Sequence, residues 1–182
     1  ESDSTVIGFS HTHLSGTGIG DLFDVTVMPV VGEVTCARGV EEDPQSGLWS
    51  YADRSKEVVE PGYYSVPLSR YGITAEMTAT SRVGLHRYTF PASDDAAVVF
   101  DLENGGCWDA PTETFIERAD DHTISGYRYS TGWAKDQRVY FAAEFSYEEA
   151  YKTDLPASGR HHGTGNAHRV RRYRQRCSHR EV

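Results

Sequence analysis

Short segments in which apolar and polar residues alternate dominate the middle of the chain. The clearest, 73–81, places four apolar side chains on one face of an extended strand and threonine and glutamate on the other. Residues 83–90 follow closely enough to form its antiparallel partner. Within 96–102 a continuous apolar run ends in Asp101, a pattern typical of a fully buried strand. No segment of useful length shows an apolar period of 3.6 residues, so the pattern predicts strands rather than helices.

Turn signals separate these segments at the intervals typical of all-β proteins. Pro61-Gly62 precedes one strand, and Asp120-Asp121 lies between two others as in a hairpin. Pro29 is expected at the edge or end of the first strand, and the polar stretch 33–60 is expected to be a long surface excursion. We predict an all-β fold, an antiparallel β-sandwich, with strands at 22–31, 62–68, 73–81, 83–90, 96–102, 114–119, 123–131 and 138–145.

Charge divides the chain into two regions. The formal net charge is −9, but seven arginines and one acid give 157–182 a charge of +6, so −15 falls on 1–156. We therefore predict a β-sandwich domain at 1–156 and a basic tail at 157–182 that is disordered or translated out of frame. A basic arm for nucleic acid is the third interpretation, and the acidic body and the scarcity of aromatic residues in the tail argue against it.

Bulk features restrict the remaining classes. No apolar run approaches the roughly 18 residues that a membrane-spanning helix needs. The chain begins at Glu1 without a signal-peptide pattern, which we interpret as processing of a leader or as a piece of a longer chain. A disulfide between Cys36 and Cys107 would be possible in an oxidising compartment. The three cysteines, of which Cys177 is the third, are widely spaced and odd in number, which favours buried free thiols.

Candidate chemistry concentrates in one stretch near the start, 8–21, which combines glycines with hydroxyl side chains, two histidines and an aspartate. Glycines allow the backbone to approach a ligand closely, so such a stretch more often forms a site than a core. His11 and His13 are two residues apart, and on an extended strand both imidazoles would lie on one face.

Two catalytic interpretations of this stretch have little support. A metal-dependent hydrolase using the His-x-His pair needs further ligands, and within 1–156 only His86 and His122 remain, neither in a ligand-like cluster. Such enzymes also have α/β barrels, whose helices this sequence does not show. A nucleophilic Ser10 or Ser15 lacks the G-x-S-x-G context of a nucleophile elbow.

Carbohydrate recognition fits the residue types better. Sugars are held by polar hydrogen-bonding side chains together with an aromatic ring. Trp133 lies in a Gly-flanked loop and could supply the ring, although packing at the end of the sandwich is its commoner role. Among the polar candidates His11 could simply bond the loop backbone and Asp21 could brace a turn. The candidates for direct contact are His11, His13, Ser15, Thr17, Asp21 and Trp133.

Five blocks in order along the chain carry a family resemblance: 8–21 with Met28-Pro29, 60–66, 85–91, 126–128 and 139–141. Together, from about residue 7 to about residue 145, they resemble the N-terminal domain of glycoside hydrolase family 92, the calcium-dependent exo-acting α-mannosidases. The resemblance implies a β-sandwich that precedes a large (α/α) helical barrel, with the active site in the cleft between them. It also implies a secreted or periplasmic enzyme that acts on terminal α-mannosides of N-glycans or mannans.

The resemblance implies inverting hydrolysis, in which an acid protonates the leaving oxygen and a carboxylate about 6.5–9.5 Å away activates water. Both carboxylates and most calcium ligands belong to the helical barrel, so no catalytic and no metal residue is assigned here, and the chain alone is expected to be inactive. A free-standing carbohydrate-binding module is the alternative. The residues expected to line the mannose pocket are His11, His13, Ser15, Gly16, Thr17, Gly18, Asp21 and Trp133.

Overall fold

The computed structural model describes residues 5–12, 23–32, 47–103, 109–132, 134–146, 163–164 and 171–175. Within these ranges the regular secondary structure consists of β-strands and one short 3₁₀ helix, Arg54–Lys56, so the predicted all-β class is confirmed. The strands are β1 Thr5–Val6, β2 Thr26–Val31, β3 Ser50–Tyr51, β4 Val58–Glu60, β5 Tyr63–Leu68, β6 Ile73–Ala79, β7 Gly84–Thr89, β8 Ala96–Asp101, β9 Ala110–Arg118, β10 Thr123–Thr131, β11 Gln137–Glu144, β12 Gly163–Thr164 and β13 Arg171–Gln175.

Every strand pairing is antiparallel, and the described strands form four sheets. Three of them are large, with strand orders β4-β5-β6-β7, β13-β8-β2 and β11-β10-β9-β12, and β1 pairs with β3 in a small fourth sheet. The predicted pairing of 73–81 with 83–90 is confirmed as β6 and β7, and the predicted hairpin around Asp120-Asp121 joins β9 and β10.

The sheet of β2, β8 and β13 lies between the other two large sheets. All six residues of β8 are buried, and they divide by face. Ala97 and Val99 pack into one apolar cluster with side chains of β5 and β6, whereas Val98 and Phe100 pack into a second cluster with side chains of β9 and β10. A strand covered on both faces needs apolar residues at every position, which explains the unbroken apolar run in the sequence.

Pro29 lies within β2 on the outer edge of this middle sheet. On the side of β2 away from β8, the N–H of Val27 donates to the carbonyl of Phe9 at 2.8 Å, and the carbonyl of Val27 accepts from the N–H of Phe9 at 2.9 Å. Backbone polar groups alternate sides along a strand, so the nitrogen of Pro29 faces the same outer side, where its missing N–H costs no bond to β8. The expected edge position is confirmed.

The expectation of a surface excursion over 33–60 is wrong for 47–52. Leu48, Trp49, Ser50 and Ala52 are buried, with exposed fractions of 5% or less. Ser50 pairs with β1, and Ala52 forms an isolated bridge with Leu68 at the end of β5. The buried stretch is too short to show a period in the sequence, whereas β4 is exposed as expected.

Two strands lie in the basic segment 157–182. Gly163 pairs with Thr114 of β9, and Arg172 pairs with Val99 of β8. The domain boundary at 156/157 and the interpretations of the tail stay predictions, and Cys36, Cys107 and Cys177 lie outside the described residues. None of the described residues forms a helix long and apolar enough to cross a membrane.

The layered packing predicts unequal costs for two identical truncations. Leu68→Ala removes a side chain with 0% exposure from the cluster between the first two sheets, and we expect unfolding to become easier by about 2–5 kcal/mol. Leu85→Ala is the control, because Leu85 is 63% exposed on β7 and should change the free energy by under about 1 kcal/mol. Urea unfolding of both variants measures the difference, and equal losses would contradict the assigned core.

Candidate functional site

Residues 8–21 are called the opening stretch here. Hydrogen bonds join residues near its start to Asp24, which follows its end. The backbone N–H of Asp24 donates to Oγ1 of Thr12 at 3.0 Å, and the hydroxyls of Ser10 and Thr12 are 3.0 Å apart. Immediately below, Phe9 pairs with Val27 of β2. The residues on either side of 13–22 are therefore fixed to each other and to the middle sheet. His11 and Thr12 form a bend, so the extended strand that would align His11 with His13 is not present at His11.

His11 is attached to the neighbouring sheet through β7. Its Nε2 lies 2.5 Å from Nε2 of His86, and Nδ1 of His86 is hydrogen-bonded to the hydroxyl of Tyr88. The two imidazoles meet edge to face, with ring centroids 4.7 Å apart. Gly84 makes room for this contact, because a Cβ there would lie 2.2 Å from Cδ2 of His11. An exposed histidine of the opening stretch is thus connected to the interior.

Burial favours the neutral forms of these groups. Burial, and then the charge of His11, lowers the pKa of His86 to about 4, and partial burial lowers the pKa of His11. Burial raises the pKa of the Tyr88 hydroxyl. Near neutral pH the side chains are therefore an uncharged set of hydrogen-bond donors and acceptors, which suits an uncharged polar ligand better than an anion.

A buried ion cluster lies at the other end of the opening stretch. Nη1 of Arg128, on β10, lies 3.0 Å from Asp24 Oδ1 and 2.6 Å from Asp109 Oδ2, and the three side chains are at most 1% exposed. Arg128 Nε also donates to the carbonyl of Leu102 at 2.7 Å. Gln137 Nε2 of β11 donates to Asp24 Oδ1 at 2.7 Å. The guanidinium thus joins β10 to Asp24, Leu102 and Asp109, and Gln137 joins the cluster through Asp24.

The cluster brings together the flanks of segments that are far apart in sequence. Asp24 follows the opening stretch, Leu102 and Asp109 flank 104–108, and Gln137 follows the loop that contains Trp133. Gly132 contributes a close approach, because a Cβ there would lie 2.8 Å from Cβ of Asp109. The ends of the loops that carry the predicted polar and aromatic site residues are therefore neighbours.

Of the predicted site residues the structure describes His11. The others lie outside the described residues, and their role in a pocket stays a prediction: His13, Ser15, Gly16, Thr17, Gly18, Asp21 and Trp133.

Sequence reasoning missed three residues that hold the site in place: His86, Arg128 and Asp24. A signal was present for two of them. Every second residue of β10 is buried, and Arg128 occupies one of those inward positions, while His86 alternates with the exposed Leu85 and Arg87 on β7. A charged or polar residue at an inward position of an alternating strand indicates a buried polar contact.

The calcium predicted from the family resemblance concerns clusters of acidic and histidine side chains. The described part of the chain contains no group of three or more His, Cys, Asp or Glu side chains that could hold a metal ion. Asp24 and Asp109 do converge, but both are paired with Arg128, and a cation between them would have to displace that guanidinium.

Comparison with known proteins gives a family for the whole arrangement. The family described as glycosyl hydrolase family 92 N-terminal domain matches residues 1–176. An uncharacterized secreted glycosidase of Arthroderma benhamiae is 34% identical over 98 residues, which cover 48% of this chain and 11% of that protein.

Solved structures give the same family. The GH92 α-mannosidase of Bacteroides thetaiotaomicron, with mannoimidazole and without it, is 34% identical with a TM-score of 0.80, covering 94% of this chain and 24% of that one. The GH92 family glycosyl hydrolase ccman5 is 25% identical with a TM-score of 0.65, covering 93% and 24%. The chain spans about a quarter of the length of these structural relatives.

The half-buried His86 predicts a pH dependence of stability. Because His86 has a lower pKa when folded (about 4) than its usual 6.5, the unfolded chain binds protons more readily between these values. The contribution of neutral His86 to the free energy of unfolding should therefore be complete above pH 6.5 and should be lost as the pH drops towards 4. Urea unfolding at pH 7, 6 and 5 measures this slope.

His86→Gln should flatten the slope, and His122→Gln, on the distant β9–β10 hairpin, should leave the part contributed by His86 in place. A full slope in His86→Gln would show that the contact does not hold the imidazole neutral.

The ion cluster predicts a large cost for loss of its cation. Arg128→Met leaves two buried carboxylates without their partner, and unfolding should become easier by about 3–5 kcal/mol. Arg138→Met is the matched control, because Arg138 is 57% exposed and its pair with Asp136 should be worth under about 1 kcal/mol. Chemical denaturation distinguishes the two, and a tolerated Arg128→Met would contradict the assigned role.

Proposed function

Because the chain belongs to the family of glycosyl hydrolase family 92 N-terminal domains, we propose that it is the β-sandwich unit of an α-mannosidase and supplies one wall of the mannose pocket. The observation that carries the proposal is the match to the Bacteroides enzyme, whose structure holds mannoimidazole, over 94% of this chain. The proposed substrates are terminal α-mannosides of N-glycans or mannans.

The geometry of the described residues supports a sugar-binding role for the opening stretch. Both ends of 13–22 are fixed, one by the His11–His86 contact and the other by Asp24 and Arg128. A site held on rigid sheets presents hydrogen-bonding groups without paying much ordering entropy on binding. The neutral imidazoles offer donors and acceptors to hydroxyl groups, and the Trp133 loop, next to Asp109, would add an aromatic ring.

The reacting carboxylates are proposed to lie outside this chain. Asp24 and Asp109, the carboxylates at the base of the site, are buried and paired with Arg128. A general acid or base has to reach the proton it transfers, and these two are enclosed by their partners. We place the acid, the base and the calcium ligands in the remaining part of the enzyme, for which the length of the relatives leaves room.

We also propose a secreted or periplasmic enzyme, supported by the Arthroderma relative that is described as secreted. The partner of the chain would then be the rest of its own enzyme together with a mannose-containing glycan.

Assays of the chain alone test the division of labour. The purified 182-residue chain should not hydrolyse an aryl α-mannoside, because half of the cleft and both carboxylates are missing, and titration with mannose or α-mannobiose should give hardly any heat. The complete Bacteroides α-mannosidase is the positive control. Hydrolysis that copurifies with the chain would contradict the proposal, and clear binding without hydrolysis would favour a free-standing carbohydrate-binding module.

A chimera tests the positive part of the same proposal. Residues 1–176 replace the matching quarter of the Bacteroides enzyme, and the variants His11→Ala and Leu85→Ala are compared in it. We expect His11→Ala to lower kcat/KM at least about tenfold, as loss of a hydrogen bond to the sugar would, relative to Leu85→Ala. Equal kcat/KM values for the two variants would contradict a contact between His11 and the sugar.

A further inference from the structure

Three side chains form a continuous hydrogen-bonded row from the surface into the core. His11 is exposed at the base of the opening stretch, His86 is half-buried, and Tyr88 packs against both apolar clusters. The contact between His11 and His86 joins residues 75 positions apart in the chain. Each neutral imidazole carries one proton, on either of its two nitrogens. The hydrogen bonds of the row can therefore run in one of two directions, with donation from His11 towards Tyr88 or from Tyr88 towards His11.

The hydroxyl of Tyr88 selects one direction. If Nδ1 of His86 donated to this hydroxyl, the hydroxyl proton would need another acceptor, and the described residues provide Tyr88 with no hydrogen bond other than the one to His86. A buried O–H without an acceptor costs about 1–3 kcal/mol. Donation from Tyr88 to Nδ1 of His86 avoids that cost and places the proton of His86 on Nε2.

The same direction then applies to His11. Nε2–H of His86 points at Nε2 of His11, 2.5 Å away, so that this nitrogen accepts and the proton of His11 lies on Nδ1. Gly84 supports the arrangement, because the ring of His11 lies against its backbone where a side chain would overlap it. The lowered pKa values of both histidines keep the row neutral near pH 7.

We propose that Tyr88 and His86 are positioning residues that hold His11 in its Nδ1–H form, so that the ring presents an N–H donor to an oxygen of the ligand. This is the opposite of the Nε2–H form that a free histidine prefers. The identity of the oxygen rests on the proposed function, under which it belongs to a mannoside hydroxyl. The proton row itself does not depend on the ligand.

Long-range ¹H–¹⁵N NMR of the ¹⁵N-labelled full chain at pH 7 reads the tautomer of each histidine directly. We expect the Nδ1–H pattern for His11 and the Nε2–H pattern for His86, which a merely structural contact would not require. An Nε2–H pattern for His11 in the wild-type chain overturns the proposal, and this result needs no variant to fold.

Two variants test each positioning residue in turn. In His86→Phe, His11 should return to the Nε2–H form, whereas the matched His122→Phe should leave it unchanged. In Tyr88→Phe the Nδ1 resonance of His86 should move to the position of an unbonded acceptor nitrogen. Tyr64→Phe is the control, because Tyr64 lies on β5 and its hydroxyl donates to Glu57 instead of to a histidine. An unchanged His11 in His86→Phe, or an unchanged His86 in Tyr88→Phe, overturns the corresponding role.

Addition of methyl α-mannoside at high concentration to the ¹⁵N-labelled chimera, in which residues 1–176 complete the Bacteroides enzyme, tests the ligand half, with methyl α-glucoside as control. We expect the Nδ1–H signal of His11 to shift with the mannoside. If signals of the opening stretch shift while this signal does not, the donor role is overturned and the proposed function stands. If no signal shifts, the ligand half is overturned together with the proposed sugar contact, and the tautomer result still decides the proton row.

Discussion

The buried guanidinium of Arg128 is the interaction on which the arrangement of the site depends. It pairs with Asp24, 104 residues away in sequence, and with Asp109, and it bonds the carbonyl of Leu102. Burial of one cation with two carboxylates is costly unless the partners are held in place, so the cluster constrains every segment that contributes to it. Those segments flank the opening stretch, residues 104–108 and Trp133 in the sequence.

The second fixed point is the contact between His11 and His86, which connects the opening stretch to a different sheet. The middle sheet carries both, because Phe9 pairs with β2 and Leu102 directly follows β8. The three large sheets therefore form a frame that holds the opening stretch at two contacts. One is the uncharged His11–His86 contact and the other is the ion cluster around Arg128. Such a frame suits the proposed role, in which this chain presents one wall of a sugar pocket and the reacting groups lie elsewhere in the enzyme.

Local patterns predicted the elements, and contacts between distant residues decided the site. The alternation of 73–81 and the apolar run within 96–102 predicted β6 and β8, since burial in β8 and in the first half of β6 follows from each residue's own position in the strand. The short buried segment at Leu48 and Trp49 has too few residues to show a period. The partners of Arg128 and His86 depend on how strands far apart in the chain are packed, which no local pattern contains.

If hydrogen bonds join the two ends of the opening stretch, the backbone amide of Asp24 should be protected from hydrogen exchange. The N–H of Asp24 lies outside the strands but donates to the Thr12 hydroxyl. We predict that it exchanges about as slowly as the N–H of Val27, which bonds Phe9 within the paired region. Exchange of the Asp24 amide at the rate of an open loop, with Val27 still protected, would show that the two ends of the opening stretch are not joined at Thr12 and Asp24.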